Sequence, residues 1–81
     1  MNDKKSNRPE LFVDNERYDW DNDTITGADI RTLASLPDNV DIFQHVPGET
    51  DRPIANDTVV DLMEHRGPER FSTQAAGSQA G

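Results

Sequence analysis

Three aspartates at alternating positions are the residues of this sequence whose spacing most directly suggests chemistry. Asp19, Asp21 and Asp23 form a D-x-D-x-D pattern, which is how the calcium-binding loop of an EF-hand begins. Such a loop also needs glycine at its sixth position and a bidentate glutamate at its twelfth, where this sequence has Thr24 and Ile30. We therefore predict no calcium site, and we interpret the spacing as a strand that alternates and then runs into a loop.

The other residue types that carry chemistry are scattered along the chain. The sequence has no cysteine, so a disulfide, a thiolate metal site and a cysteine nucleophile are excluded on this chain. His45 and His65 lack a partner histidine at zinc-ligand spacing, and Ser72 and Thr73 have no nearby histidine that would activate a hydroxyl group. The sequence therefore predicts no metal, no cofactor and no catalytic residue, which means a protein that is not itself an enzyme.

Length and charge narrow the class of protein. A chain of 81 residues is one small domain with tails, too small to enclose a large active site. Eight basic against sixteen acidic residues give a net charge of −8, which disfavours binding to nucleic acid or anionic membranes and favours partners with basic surfaces. Six acids crowd one stretch that could dock a partner: Glu10, Asp14, Glu16, Asp19, Asp21 and Asp23. With no long apolar segment and no secretion signal, we expect a soluble, cytoplasmic protein.

Alternation of apolar and polar residues predicts most of the strands that would position these groups. ELFVD and RYDW are typical of two strands joined at DNE, and Ile54 after Pro53 is typical of a short edge strand. ERFST predicts a last short strand around Phe71. VDIFQHV predicts a half-buried strand, with Val40, Ile42, Gln44 and Val46 on one face and Asp41, Phe43 and His45 on the other.

Capping residues predict one helix, and a later segment is ambiguous. Thr26 stands at an N-cap position with Asp29 three residues on, which is the spacing of a capping box. Apolar residues recur at helical spacing from Ile30, and Pro37 predicts that the helix ends after Leu36. The segment NDTVVDLMEHRGP fits a short helix that stops at its glycine and proline, but TVVDL fits a strand equally well; we favour the helix.

This order of elements resembles the β-grasp fold of ubiquitin. The strings TGADIRTLASLP, DRPIANDTVVDL and ERFST resemble bacterial ubiquitin-like proteins of the multiubiquitin type, over residues 11–73. The shared features are the Thr26-Gly27 helix start, the apolar run after Asp57 and the Arg70-Phe71 pair. The resemblance implies an α+β fold in which a mixed sheet of roughly four to five strands packs on one helix. We expect residues 1–9 to be a disordered arm, 10–73 the β-grasp domain and 74–81 a flexible tail.

The family resemblance also implies a function. Its members are modifiers that a partner activating enzyme adenylates with ATP, a conjugating enzyme transfers to target proteins and a deconjugating peptidase removes; antiphage defence is the setting expected for the family. The reacting carboxylate would belong to Gly81, or to Gly77 if a peptidase first removes SQAG. Ubiquitin-like proteins usually end in Gly-Gly, whereas these two glycines are separated, although one glycine meets the steric demand at the reacting carbon. The eight residues after Thr73 would extend about 25 Å.

Acceptor and partner-binding residues complete the hypothesis. Lys4 and Lys5 are the only lysines, so they are the candidate amine acceptors for chain building. Phe43, His45 and Arg70 are the candidate partner-binding residues, because an outward aromatic residue on a sheet resembles the apolar patch through which ubiquitin is recognised. Two alternatives remain open. The protein is a non-covalent β-grasp interaction module, or it is a sulfur carrier that forms a thiocarboxylate; in the first case the small-residue tail is an ordinary chain terminus.

Overall fold

A computed structural model of the protein describes residues 9–65 and 67–76. The elements in chain order are β1 (Glu10–Val13), β2 (Glu16–Asp19), β3 (Thr24–Thr26), α1 (Gly27–Leu33), β4 (Val40–His45), β5 (Arg52–Ile54), β6 (Val59–Asp61) and β7 (Glu69–Ala75). Within these ranges no helix has the length and apolar character that crossing a membrane requires.

The strands form one mixed sheet and one small ribbon. The main sheet has five strands in the order β2-β1-β7-β4-β5, in which β1 and β7 run parallel and the other neighbours run antiparallel. Strands β3 and β6 form a separate antiparallel pair. Helix α1 covers one face of the main sheet through Ile30, which is fully buried in the same apolar cluster as Leu11, Ile42 and Phe71. The predicted α+β architecture, a mixed β-grasp sheet on one helix, is confirmed.

The β1–β2 hairpin turns over two residues that take a left-handed backbone conformation. Asp14 has φ 52° and Asn15 has φ 73°, the combination that matches the right-handed twist of the flanking strands in a two-residue turn. Asp and Asn tolerate positive φ better than other residues with side chains. The turn places Val13 directly opposite Glu16 and thereby fixes the register of the hairpin.

The start of the helix is as predicted, but its end is not. The Thr26 hydroxyl accepts a hydrogen bond from the Asp29 N–H, and the Asp29 carboxylate accepts one from the Thr26 N–H, each at 3.1 Å. The prediction that the helix continues to Leu36 is wrong, because α1 ends at Leu33.

A left-handed residue explains this early end. Ser35 has φ 56°, and its N–H donates to the Thr32 carbonyl at 3.2 Å while the Leu36 N–H donates to the Arg31 carbonyl at 2.8 Å. This pair of bonds is a Schellman cap, which usually has glycine where this chain has Ser35. With serine in that position, the sequence carries no visible stop signal before Pro37.

The ambiguous segment forms a strand, so the favoured helix prediction is wrong. Strand β6 pairs with β3, and this pairing sets Val60 opposite Ile25, both of which are buried in the core. Strand β3 is a further difference, because the sequence predicts a loop between the D-x-D-x-D stretch and the cap at Thr26. A three-residue strand is stable here only because a partner from 35 residues further along the chain pairs with it.

The last strand is longer than predicted and lies in the middle of the sheet. Strand β7 runs between β1 and β4 and continues through Ala75, whereas the sequence predicts a strand only around Phe71. Gln74 and Ala75 pair with Asp41 and Val40, so the prediction that the tail begins at residue 74 is wrong. A central strand is extended by its two neighbours, so its length depends on β4 as much as on its own residues.

Candidate functional site

The face of the main sheet turned away from the helix carries the three predicted partner-binding residues. Along β4, Ile42 and Gln44 are each 1% exposed on the core side, while Phe43 and His45 lie on the opposite side. We call this opposite side the outer face, and by strand register it comprises Glu10, Phe12, Arg17, Asp19, Asp41, Phe43, His45, Pro53, Arg70, Ser72 and Gln74. Phe43 is half-buried between its cross-strand neighbours Pro53 and Ser72.

An aromatic and cationic row crosses the outer face. The Arg70 guanidinium lies 4.4 Å from the centroid of the Phe12 ring, which is a cation–π contact. Strand register places Arg17 on the other side of Phe12 and His45 on the other side of Arg70. The His45 Nδ1 in turn lies 3.4 Å from the Asp51 carboxylate. The row therefore presents flat apolar surface beside fixed positive charge, which suits a partner with apolar and carboxylate groups.

A cleft at the end of the sheet where β7 begins brings two of the predicted residues together. It has a volume of about 370 Å³ and is lined by His45, Pro47, His65, Pro68, Glu69 and Arg70. Phe43 lies outside this lining and belongs to the flat part of the outer face. The structure thus divides the three predicted residues between a flat aromatic surface and the mouth of a polar cleft.

A buried carboxylate that sequence reasoning missed forms the inner wall of the cleft. Glu69 is only 3% exposed, and its side chain accepts a hydrogen bond from Gln44 at 3.0 Å and contacts His65 Nδ1 at 2.8 Å. The hydrogen bond to the Glu69 carboxylate, followed by its negative charge, raises the pKa of His65 above the ordinary value. The sequence could have predicted this burial, because side chains two residues apart on a strand lie on the same face and Glu69 stands two residues before Phe71.

Residues from distant parts of the chain form hydrogen bonds with the C-terminal end of β7. The Asp14 carboxylate accepts hydrogen bonds from the Thr73 N–H at 3.0 Å and from the Thr73 hydroxyl at 2.6 Å. The Ala76 N–H donates to the Asn39 carbonyl at 2.7 Å. These bonds fix the position of the chain up to Ala76.

The remaining predicted site residues lie outside the described part of the chain. These residues are the candidate acceptors Lys4 and Lys5 and the candidate reacting glycines Gly77 and Gly81. Among the residues that the structure describes, no three His, Asp or Glu side chains come together in a group that could hold a metal ion. Of the D-x-D-x-D stretch, Asp19 ends strand β2 and Asp23 accepts a backbone hydrogen bond from Leu62 at 2.7 Å through its carbonyl.

Comparison with known proteins gives one match. A family model described as Multiubiquitin matches residues 10–75, which is the span from the first residue of β1 to the last residue of β7. No curated protein and no solved structure matches. The match therefore coincides with the folded domain and ends before the two glycines of the tail.

Proposed function

The chain belongs to the multiubiquitin family and has a ubiquitin-like domain, and from this premise we propose that it is a protein modifier of a bacterial ubiquitination-like pathway. In this proposal a partner activating enzyme adenylates the carboxylate of Gly81 with ATP, and a conjugating enzyme then transfers the modifier to target proteins in the cytoplasm. A peptidase removes the modifier again. If a peptidase also trims the tail before activation, Gly77 is the reacting residue.

The anchored end of β7 is the observation that best supports the proposal. Asp14 and Asn39 hold the chain up to Ala76, so in this proposal the segment that carries Gly77 and Gly81 starts from a fixed point of the fold. From Ala76 to Gly81 a fully extended chain spans about 17 Å, compared with about 25 Å for a tail that begins after Thr73. The tail contains only Gly, Ser, Gln and Ala, which suits a narrow channel. In this proposal the activating enzyme therefore docks on the outer face with its nucleotide site near Ala75, where β7 ends.

The outer face supplies the docking surface in this proposal. Phe43 provides apolar contact area, and Arg70, ordered by its stacking on Phe12, provides a guanidinium that needs little further ordering to bind a carboxylate. His45 lies beside Arg70 at the mouth of the cleft. Replacing Phe43 by serine should raise the KM of the activating enzyme for this protein while the domain stays folded, because the ring faces away from the core and only its packing against Pro53 and Ser72 is lost.

Lys4 and Lys5 are the proposed acceptors for self-linked polymers. Because the sequence has no other lysine, any amine-linked polymer must join the tail of one copy to the arm of the next. Deleting residues 2–8 should leave only the N-terminal amine and abolish lysine-linked polymers on a denaturing gel. Polymers that persist after the deletion and are cleaved by hydroxylamine would indicate ester linkage to serine or threonine instead.

The test of activation is enzyme-dependent pyrophosphate exchange with three forms of the protein and one control. The three forms are wild type, Gly81→Val and a truncation that ends at Gly77; Ser78→Val adds the same branched side chain away from the reacting carbon. We expect wild type and Ser78→Val to be active and Gly81→Val to be inactive, because branching crowds the acyl carbon. If only the truncation is active, Gly77 is the reacting residue.

Failure of all forms with the cognate enzyme would favour the second candidate function, a non-covalent interaction module. The aromatic outer face supports that alternative, since it serves recognition with or without conjugation. A sulfur carrier would instead be activated but released with a C-terminal thiocarboxylate. Intact-mass spectrometry of the protein isolated from cells distinguishes the three, as a target adduct, an unmodified chain, or a chain heavier by one oxygen-to-sulfur exchange.

A further inference from the structure

Strand β2 presents an unpaired edge of the main sheet within the described residues. Its described strand partner is β1, on one side only. Residues opposite each other in an antiparallel pair alternate between hydrogen-bonded and non-bonded positions, and a two-residue turn makes its flanking pair, here Val13 and Glu16, a bonded one. The backbone groups of Arg17 and Asp19 therefore point away from β1. The Asp14 N–H donates to the Phe71 carbonyl of β7. Backbone groups alternate between the two neighbouring strands, so this bond confirms that Val13 bonds to β2 and not to β7.

A groove runs beside this edge, on the helix side of the sheet. Its volume is about 320 Å³, and its lining residues are Val13, Asp14, Glu16, Tyr18, Ala34 and Leu36. The apolar part of the groove consists of the buried Val13 together with Tyr18, Ala34 and Leu36, which are half-buried against the core. We call this feature the β2 groove.

The charge at the β2 groove is negative. Asp14 and Glu16 are its ionisable lining residues apart from the Tyr18 phenol, which donates a hydrogen bond to the Glu16 carboxylate at 3.0 Å. Arg17 alternates to the outer face, where its guanidinium lies 3.8 Å from Glu10. The accessible lining of the groove is more polar than apolar, so a ligand meets a small apolar area beside two carboxylates and needs apolar and cationic groups in turn.

We propose that the β2 edge and the β2 groove bind an extended, basic segment of a partner protein, which adds one strand to the sheet. Backbone groups of that segment would bond to those of Arg17 and Asp19. Every second side chain would face the groove, with a β-branched or aliphatic residue over Tyr18 and Leu36 and a lysine or arginine beside Glu16. This site is separate from the outer face and does not depend on the proposed conjugation.

Other edges and other occupants fit less well. The opposite edge, strand β5, has three residues and includes Pro53, which has no N–H to donate. A second copy of this chain would bring a net charge of −8 to an acidic groove. Residues 2–8 of the chain contain three cations, Lys4, Lys5 and Arg8, but no apolar residue to occupy the apolar part of the groove.

The test is an NMR titration of the ¹⁵N-labelled full-length chain, without any enzyme, with two synthetic peptides. The probe is acetyl-TVTKTVTK-amide and its matched control is acetyl-TVTETVTE-amide, in which valine alternates with lysine or with glutamate on one face. We expect the lysine peptide to shift the amides of β2 and of the segment around Leu36, and to bind about tenfold more tightly than the glutamate peptide.

Two pairs of variants separate the backbone contribution from the charge contribution. Arg17→Pro removes an outward N–H that β1 does not use and should weaken binding about tenfold, whereas Arg17→Ala removes the same side chain, keeps the N–H and should bind as wild type does. Glu16→Lys should reverse the preference between the two peptides. Asp41→Lys, the same charge reversal on the outer face, should leave the preference unchanged.

Several results would overturn the proposal. It fails if the shifts fall on Phe12 and Phe43 instead, or if Arg17→Pro binds as tightly as Arg17→Ala. It fails if Glu16→Lys leaves the preference between peptides unaltered, a result that remains informative even if Arg17→Pro does not fold. Protection of the Arg17 and Asp19 amides from hydrogen exchange in the free protein, lost on dilution or on deletion of residues 2–8, would show that a second copy or the arm occupies the edge.

Discussion

The Asp14 carboxylate binds both the N–H and the hydroxyl group of Thr73, a residue 59 positions later in the chain. The contact joins the turn of the first hairpin to the strand that leads into the tail. Asp14 holds this position because the left-handed conformation of the turn aims its side chain across the end of β7. A residue usually read as a turn former is thus also an anchor for the part of the chain that our proposal makes reactive.

Removing this anchor should destabilise the fold measurably. Asp14→Gly keeps a residue suited to positive φ but deletes the carboxylate and its two hydrogen bonds, so it should lower the free energy of unfolding by about 1–2 kcal/mol. The matched control is Asn15→Gly, the other left-handed residue of the same turn. Urea denaturation of both variants gives the comparison. Equal stability of the two variants would contradict an anchoring role for Asp14.

A double-mutant cycle isolates the hydroxyl contact. Thr73→Val deletes the 2.6 Å bond to Asp14 while keeping the shape of the side chain and the backbone N–H. Combined with Asp14→Gly it should show a coupling energy of about 1 kcal/mol. Additive losses would mean that the two residues stabilise the fold independently.

Gly27 is required because the backbone of another segment lies against it. A Cβ atom at this position would come 2.0 Å from the Ala55 carbonyl oxygen, and the first helical N–H groups of Gly27 and Ala28 bond to carbonyls of Thr58 and Asn56. Gly27→Ala should therefore cost about 3 kcal/mol, since the backbone must move apart. In Gly48→Ala the new Cβ meets open space but φ is 81°, so a loss of only about 1 kcal/mol is expected. Similar thermal midpoints for the two variants would refute this explanation of Gly27.

The capping box of α1 can be tested by substitution, with thermal or urea denaturation as the measurement. Thr26→Ala removes the acceptor for the Asp29 N–H and should cost about 1 kcal/mol, while Thr24→Ala, an exposed site on β3, should cost less.

Millimolar calcium should leave the thermal midpoint of wild type unchanged. A site filled at 100 times its dissociation constant would add about 2.7 kcal/mol, so a rise of several degrees would reinstate the calcium hypothesis for the three aspartates.

Stability should depend on pH through His65. Its hydrogen bond to the Glu69 carboxylate, together with the charges of Glu69 and Glu64, raises the pKa of His65 in the folded state, although burial and Arg52 oppose the rise. The stabilisation is therefore complete below the unfolded-state pKa of about 6.5 and is lost as pH rises through the higher folded-state value. We expect the stability difference between wild type and His65→Gln to be larger at pH 6 than at pH 8.5.

The variant Glu69→Gln is the control for this pH dependence. It keeps an acceptor for Gln44 but removes the negative charge beside His65, so the extra stability at low pH should disappear. Chemical denaturation across the pH series provides the measurement. A His65→Gln difference that stays constant with pH, or that grows as pH rises, would contradict the pairing.

The sequence predicted the features that depend on neighbouring residues. The Thr26–Asp29 capping box is complete within four residues, and the alternation along VDIFQHV assigns Ile42 to the core and Phe43 to the outer face without knowledge of any other strand. The turn after β1 is similarly local, but the sequence predicts it over DNE, whereas it covers only Asp14 and Asn15 and Glu16 begins β2. Side-chain period and capping bonds are short-range properties, which is why these elements were accessible from the sequence, whereas the α+β arrangement followed from the resemblance of their order to the β-grasp fold.

Tertiary structure decided the features that need a distant partner. Val59–Asp61 is a strand because β3 pairs with it, β7 extends to Ala75 because β4 runs beside it, and Glu69 is buried because Gln44 and His65 satisfy its oxygens. None of these partners can be read from the segment itself. A backbone N–H or a carboxylate can be buried only when it has a hydrogen-bond partner. In these three cases the partner lies far away in the sequence and comes close only in the folded chain.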